Sequence, residues 1–110
     1  MFLGEYFHSL DEKGRVVMPS TFRRALDNGC VVTKGQDGQL LIYAPDDFQK
    51  LAEEVVAERS KDRAGRRYKR TVFAAADAAG LNAGGRVGLK SELRDFADLA
   101  VGSEVVLVGV

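Results

Sequence analysis

The sequence has no tryptophan, one cysteine, one histidine, two prolines and no formal net charge, 16 Lys plus Arg balancing 16 Asp plus Glu. Each shortage removes a class of protein. Cys30 alone cannot close an internal disulfide, and its place before Val31 and Val32 suits a small buried hydrophobe. A reducing, intracellular setting is the simplest reading of that usage. His8 has no companion ligands at zinc-type spacing, and no glycine-rich loop with its lysine cradles a phosphate. A structural histidine is the expectation. Ser9 and Cys30 lack an evident base and orienter, and the neighbours Asp46 and Asp47 would point apart on a helix. Catalytic residues, metal ligands, cofactor and small-molecule substrate are therefore all read as none. No apolar run approaches the roughly 20 residues of a membrane span. The amino end carries no basic leader followed by an apolar core, so no secretion signal is read there.

What is present suits one small folded domain or two very small, intimately packed units. The 110 residues are 45% hydrophobic and 29% charged, too apolar for a disordered chain. A chain of this size buries roughly 60–70% of its extended surface, so the core is modest and association with further copies is expected.

The zero net charge conceals blocks. Residues 46–58 hold Asp46, Asp47, Glu53, Glu54 and Glu58 against Lys50. Arg59, Lys61, Arg63, Arg66, Arg67, Lys69 and Arg70 then crowd twelve positions, opposed by Asp62 alone. Such a block can neutralise phosphates or pair with the acidic block before it, and charge alone leaves the two open.

An internal repeat is the most informative feature. Leu10-Asp11-Glu12-Lys13-Gly14-Arg15-Val16-Val17-Met18, then Ser20 and Arg23, returns 71 residues later as Leu81-Asn82-Ala83-Gly84-Gly85-Arg86-Val87-Gly88-Leu89, then Ser91 and Arg94. Each copy predicts a strand, a tight turn at Lys13-Gly14 or Gly84-Gly85 where glycine tolerates positive φ, and a second short strand. Ser20 and Ser91 are expected to cap short helices. A third, β-rich segment follows, Cys30–Thr33 or Val105–Val108, with the offset grown by about three residues. In the first copy a turn at Gln36-Asp37-Gly38 leads to a strand Leu40–Tyr43. The second copy stops at Val110, where its equivalent hairpin should begin, and reads as truncated with an uncovered edge over 105–110.

Between the copies Pro45-Asp46-Asp47 suits a helix start, followed by Phe48, Leu51, Ala52, Val55 and Val56 at helical spacing. A second helix is predicted over about 61–78, with Tyr68, Val72, Ala75 and Ala76 on one stripe. Tyr6 and Phe7 are expected in the core or a subunit interface. The resulting division is a first repeat at 5–47, a helical connector at 48–75 and a second repeat at 76–110.

The opening Gly4-Glu5-Tyr6, His8, Leu10-Asp11-Glu12-Lys13-Gly14-Arg15-Val16 and Pro19, with Phe22-Arg23, Gly35, Asp37-Gly38, Leu40 and Tyr43, closely resembles the MraZ group of the SpoVT/AbrB-like swapped-hairpin DNA-binding family. The likeness spans essentially the whole chain. It implies an α+β fold in which two β-hairpin repeats interleave into a small barrel-like unit, a double-split β-barrel, with protomers closing into a ring. It further implies a non-enzymatic, nucleoid-associated cytoplasmic regulator, usually a repressor. Such regulators bind direct repeats of double-stranded DNA before the cell-division and cell-wall gene cluster. A ring-forming protein-interaction or nucleoid-structuring module is the alternative. By resemblance, Asp11 and Arg15 form the first Asp-x-x-x-Arg pair, and Arg86 is the arginine of the second, whose acidic member is replaced by Asn82. Asn82 can hold the turn, but it supplies no negative charge to orient Arg86. Arg15, Arg86 and Lys13 are the expected DNA contacts, Asp11 and Asn82 the orienting residues, and Gly14 and Gly85 the turn residues. Arg23 and Arg24 are open between DNA contact and structure, while Arg94 reads as structural.

Overall fold

A computed structural model describes residues 4–57 and 63–109. The chain runs β1 (Glu5–Ser9), β2 (Arg15–Val17), α1 (Ser20–Arg23), β3 (Cys30–Lys34), β4 (Leu40–Tyr43), α2 (Pro45–Ala57), α3 (Arg63–Ala75), β5 (Asp77–Ala79), β6 (Arg86–Gly88), α4 (Ser91–Phe96) and β7 (Glu104–Val108). The fold is mixed α+β, with three small antiparallel sheets that do not join into a closed barrel among the described residues.

Strand pairing crosses between the two repeats. β1 pairs with β7, β2 with β6, and β5 with β3, so the first and second strands of each repeat find their partners in the other. Among the described residues, β3 and β4 pair within a repeat, across a loop where Gly38 takes φ +83°, and a single bridge joins Leu81 to Val87 within the second. The registers also locate the insertion. Cys30 lies opposite Ala79 while Val105 lies opposite His8, making Cys30 and Val105, 75 residues apart, equivalent. The offset therefore grows by four residues and not three.

Period-two patterning decides which side faces inward. On β1, Tyr6 and His8 are half-buried and lead to the buried Leu10, whereas Phe7 is 59% exposed. Phe7 thus lies outside the core. Tyr6 packs edge-on against Phe22, with ring centroids 5.2 Å apart. The core gathers equivalent residues of both repeats: Val16 with Val87, Met18 with Leu89, and Phe22 with Leu93. Cys30 is buried among them, and burial, aided by the nearby Asp77 charge, pushes its thiol pKa up. It is a packing residue.

Two helix expectations are corrected. Ser20 and Ser91 do not cap their helices but form the first helical positions, and neither Pro19 nor Lys90 before them makes a side-chain cap bond. The extended Pro19 offers its carbonyl to the amides of Phe22 at 2.8 Å and Arg23 at 3.2 Å, which begins the turn without a side chain. The connector's second helix also stops at Ala75, because Asp77–Ala79 is drawn out as β5 along the free edge of β3. Alanine favours a helix locally, but the unpaired β3 edge decides the outcome. Asp77 then holds Lys90 Nζ at 2.9 Å and raises its pKa.

The connector is tied to the body by specific contacts. Pro45 opens α2 with Asp46 and Asp47 in its first turn, as expected. Phe48 lies between Tyr43 and Phe73 at centroid distances of 5.7 and 5.3 Å. Val72 is buried, and its carbonyl accepts a hydrogen bond from the fully buried Thr33 hydroxyl. Arg59, Lys61, Asp62 and Val110 lie outside the described residues, as do the side chains of Val55, Val56, Tyr68 and Lys69. Arg63, Arg66, Arg67 and Arg70 are exposed along α3.

Among the described residues β7 is bonded to β1 alone, and its residues line an apolar cavity of about 700 Å³. Phe22, Leu26, Leu40, Ile42, Leu99 and Leu107 line that space between β4 and β7.

Candidate nucleic-acid interface

The candidate site is the β2–β6 ribbon with the two turns that feed it. Arg15 pairs with Gly88, Val16 with Val87 and Val17 with Arg86, so a pseudo-two-fold axis passes through the Val16–Val87 pair. Directly paired residues share a face, and neighbours along a strand alternate. Val16 and Val87 are 2% and 0% exposed, which turns Arg15 and Arg86 together to the opposite, outward face. Their side chains are 35% and 41% exposed.

Both turns are built alike. Asp11 Oδ1 accepts the backbone N–H groups of Lys13 at 2.9 Å and Arg15 at 2.8 Å. Asn82 Oδ1 accepts those of Gly84 and Arg86, each at 2.9 Å. Gly14 and Gly85 follow at φ +74° and +72°, the left-handed region where a Cβ is strained. One side-chain oxygen is enough to shape such a turn, so the amide serves as well as the carboxylate. Lys13 stands exposed at the tip of the first turn.

The second oxygen separates the two repeats. Asp11 Oδ2 accepts Arg15 Nε at 2.9 Å and also lies 3.9 Å from Arg86 Nε. A single carboxylate therefore serves both arginines, a link that appears only once the strand register is known. The backbone N–H of Arg15 does most to hold the Asp11 pKa below its ordinary value of 3.8. Desolvation, next in size, opposes it, and the Arg15 guanidinium and the Lys13 N–H add smaller lowering contributions.

Arg23 and Arg94 act between repeats. Arg23 lies against Gly85, and its Nε donates to the Met18 carbonyl at 2.9 Å. Arg94 lies against Gly14 in the equivalent way, with its Nε buried and unpartnered among the described residues. Backbone bonds repeat the exchange: Met18 N–H donates to Gly85 and Leu89 N–H to Gly14, both at 2.9 Å. Each helix arginine thus backs the other repeat's turn. Their common place in the 71-residue repeat was the available sequence signal. Arg24 is exposed beyond α1 and takes no part in these contacts.

Beyond the ribbon, His8 is half-buried opposite Val105, and no group of three metal-ligating side chains occurs among the described residues. No described helix is long and apolar enough to cross a membrane.

Comparison with known proteins places the chain in a family. The family model described as "MraZ protein, putative antitoxin-like" matches residues 1–71, which take in the first turn and most of the connector. The transcriptional regulator MraZ of Nocardioides sp. (strain ATCC BAA-499 / JS614) is 41% identical over 109 residues, covering 99% of this chain and 74% of the relative. That of Thermomicrobium roseum is 40% identical over 110 residues, covering all of this chain and 76% of the relative. That of Salinispora arenicola is 38% identical over 109 residues, covering 99% and 75%. With the first turn inside the matched family model and the second inside each of these alignments, the chain belongs to the MraZ family.

Proposed function

We propose that this chain is a sequence-specific DNA-binding transcriptional regulator whose β2–β6 ribbon faces the duplex. The observation that carries the reading is the placement of Arg15 and Arg86 on one outward face of a two-stranded ribbon, with Lys13 exposed at a neighbouring turn. A two-stranded ribbon fits the major groove, and arginine can bind guanine or phosphate in a bidentate manner. The names of the relatives support the regulatory class and are not names of enzymes. We read no catalytic role, cofactor or small-molecule substrate into the chain.

The finer features rest on family likeness. They are repression of the cell-division and cell-wall gene cluster, recognition of short direct repeats, nucleoid association in the cytoplasm, and a closed homo-oligomeric ring. Exchange of strands between repeats supports a double-split barrel organisation, with repeats at 5–47 and 76–110 around the connector at 48–75. One ribbon offers few contacts, so several units engaging adjacent DNA repeats supply the working affinity through effective concentration. Occlusion of the promoter then represses.

A second reading, an assembly module, is favoured by the outer face of β1 and β7, where Phe7, Val106 and Val108 are 59%, 50% and 64% exposed. Titration of duplex DNA at several salt concentrations separates the two. Phosphate-driven binding weakens steeply with salt, whereas an apolar protein contact does not. Absence of salt-sensitive DNA binding would overturn the regulatory reading.

A further inference from the structure

We infer that α3 is a second DNA contact: an arginine stripe that holds the phosphate backbone of a duplex without reading sequence, separate from the β2–β6 ribbon. This adds a surface to the DNA-binding reading and rests on it.

The stripe follows from helical spacing. Arg63, Arg66, Arg67 and Arg70 stand at i, i+3, i+4 and i+7, which at 3.6 residues per turn gathers them within an arc of about 100°. All four are exposed. The opposite side of the helix carries the buried Val72, whose carbonyl accepts the Thr33 hydroxyl, and Phe73 packs on Phe48. That anchorage turns the arginines away from the body. No acidic residue occurs in α3. At a rise of 1.5 Å per residue, four guanidinium groups are strung along about 10 Å of helix axis. Thr71 and Ala74, the exposed positions that follow, are small and leave room for a backbone to come close.

The chain does not neutralise this stripe itself. Among the described residues Arg63, Arg67 and Arg70 make no ion pair, while Arg66 already has a partner. The acids of α2 are occupied differently. Asp46, Asp47, Glu53 and Glu54 are exposed, but Lys50 stands three or four residues from each, so α2 balances part of its own charge. α3 has no such internal counterion. An acidic α2 on a second copy is the competing occupant, and it offers a sparse set of carboxylates diluted by that lysine. Duplex DNA offers one negative charge per ~1.7 Å of axis, which matches a dense guanidinium row far better. The carboxylates of α2 also repel a duplex, which leaves the arginine face of α3 as the place where it settles.

The test is a salt series of binding titrations on a cognate duplex and on a scrambled one, with the mass in solution measured for each protein. The proteins are the wild type, Arg15→Ala, the triple variant Arg63→Gln, Arg67→Gln, Arg70→Gln, and the same three positions changed to lysine. Each neutralised phosphate adds about 0.9 to the slope of log affinity against log salt, so the glutamine triple is expected to lower that slope by about 2.7 per bound chain. At ~0.1 M salt this amounts to a loss on the order of a hundredfold, equal on both duplexes, so their ratio stays constant. Arg15→Ala should instead reduce the ratio. The lysine triple keeps the charge and should keep the slope. Each glutamine made singly should lower the slope by about 0.9, a check that does not depend on the triple variant folding. An unchanged slope, a loss confined to the cognate duplex, or a lysine triple as weak as the glutamine one would overturn the proposal while leaving the ribbon's role intact. A fall in mass with the glutamine triple would overturn it as well, making the stripe a contact between copies. Salt-insensitive or absent binding by the wild type would overturn the DNA-binding reading itself.

Discussion

Replacing Gly14 by alanine tests the exchange between repeats more sharply than any change in the core. Gly14 sits at φ +74°, and a Cβ built there would come 2.7 Å from Arg94 Cζ, too close for the guanidinium to stay in place. The left-handed backbone alone costs roughly 1–2 kcal/mol with a side chain present, and moving the Arg94 guanidinium, the end of a long side chain whose Nε is buried, adds about 1 kcal/mol. The sum, about 2–3 kcal/mol, is a large share of the ~5–15 kcal/mol that holds a small domain folded. At roughly 4–8 °C per kcal/mol it lowers Tm by roughly 8–24 °C. Gly38 supplies the control, because it has φ +83° yet nothing within 4 Å of its built Cβ. Gly38→Ala should therefore lose only the backbone component. Urea unfolding of both variants isolates the contact with Arg94. In Gly14→Ala combined with Arg94→Ala, the loss should fall short of the sum of the single losses by about 1 kcal/mol or more, the signature of a direct contact. Equal destabilisation by Gly14→Ala and Gly38→Ala, or strict additivity with Arg94→Ala, would refute the reasoning.

Other consequences are open to simpler assays. Arg15→Ala should weaken binding to cognate DNA by at least ~1 kcal/mol with the circular dichroism unchanged, and equal affinity in a shift titration would remove Arg15 from the interface. Thr33→Val strands the Val72 carbonyl inside the body and should cost about 1–3 kcal/mol in urea unfolding. An unchanged midpoint would mean that water reaches that carbonyl. The lowered pKa of Asp11 makes its contribution to stability complete above the ordinary value of 3.8. That contribution is lost as the pH falls through the lower folded-state value. The stability difference between wild type and Asp11→Asn should accordingly be steady at neutral pH and shrink toward zero in acid. A difference that does not change with pH would show that the carboxylate charge is not the source.

Much of the local structure was legible in the sequence. Gly14 and Gly85 mark the turns because each lies three residues after one whose side-chain oxygen can close them, Asp11 or Asn82, and the 71-residue repeat placed both arginines at equivalent positions. Pro45 with two acidic neighbours marked a helix start, and the Gln36-Asp37-Gly38 loop marked the β3–β4 hairpin. Long-range pairing was harder to read. Asp77–Ala79 follows an alanine-rich helix with nothing local to stop it, and only the free edge of β3 draws it into a strand. Nor could spacing show that Arg86 turns to Asp11 of the other repeat, since that depends on the β2–β6 register. Ser20 and Ser91 misled because an extended residue before each helix left no place for a serine cap. Phe7 is expected in the core or a subunit interface, and alternation along β1 turns it away from the core of this chain.

The central claim, that the outward face of the β2–β6 ribbon meets DNA, is tested most directly by assigned amide NMR spectra recorded with and without a cognate duplex. The largest shifts should fall at residues 11–17 and 82–88. Shifts confined to the outer face of β1 and β7 or to α3, with both turns unmoved, would contradict it.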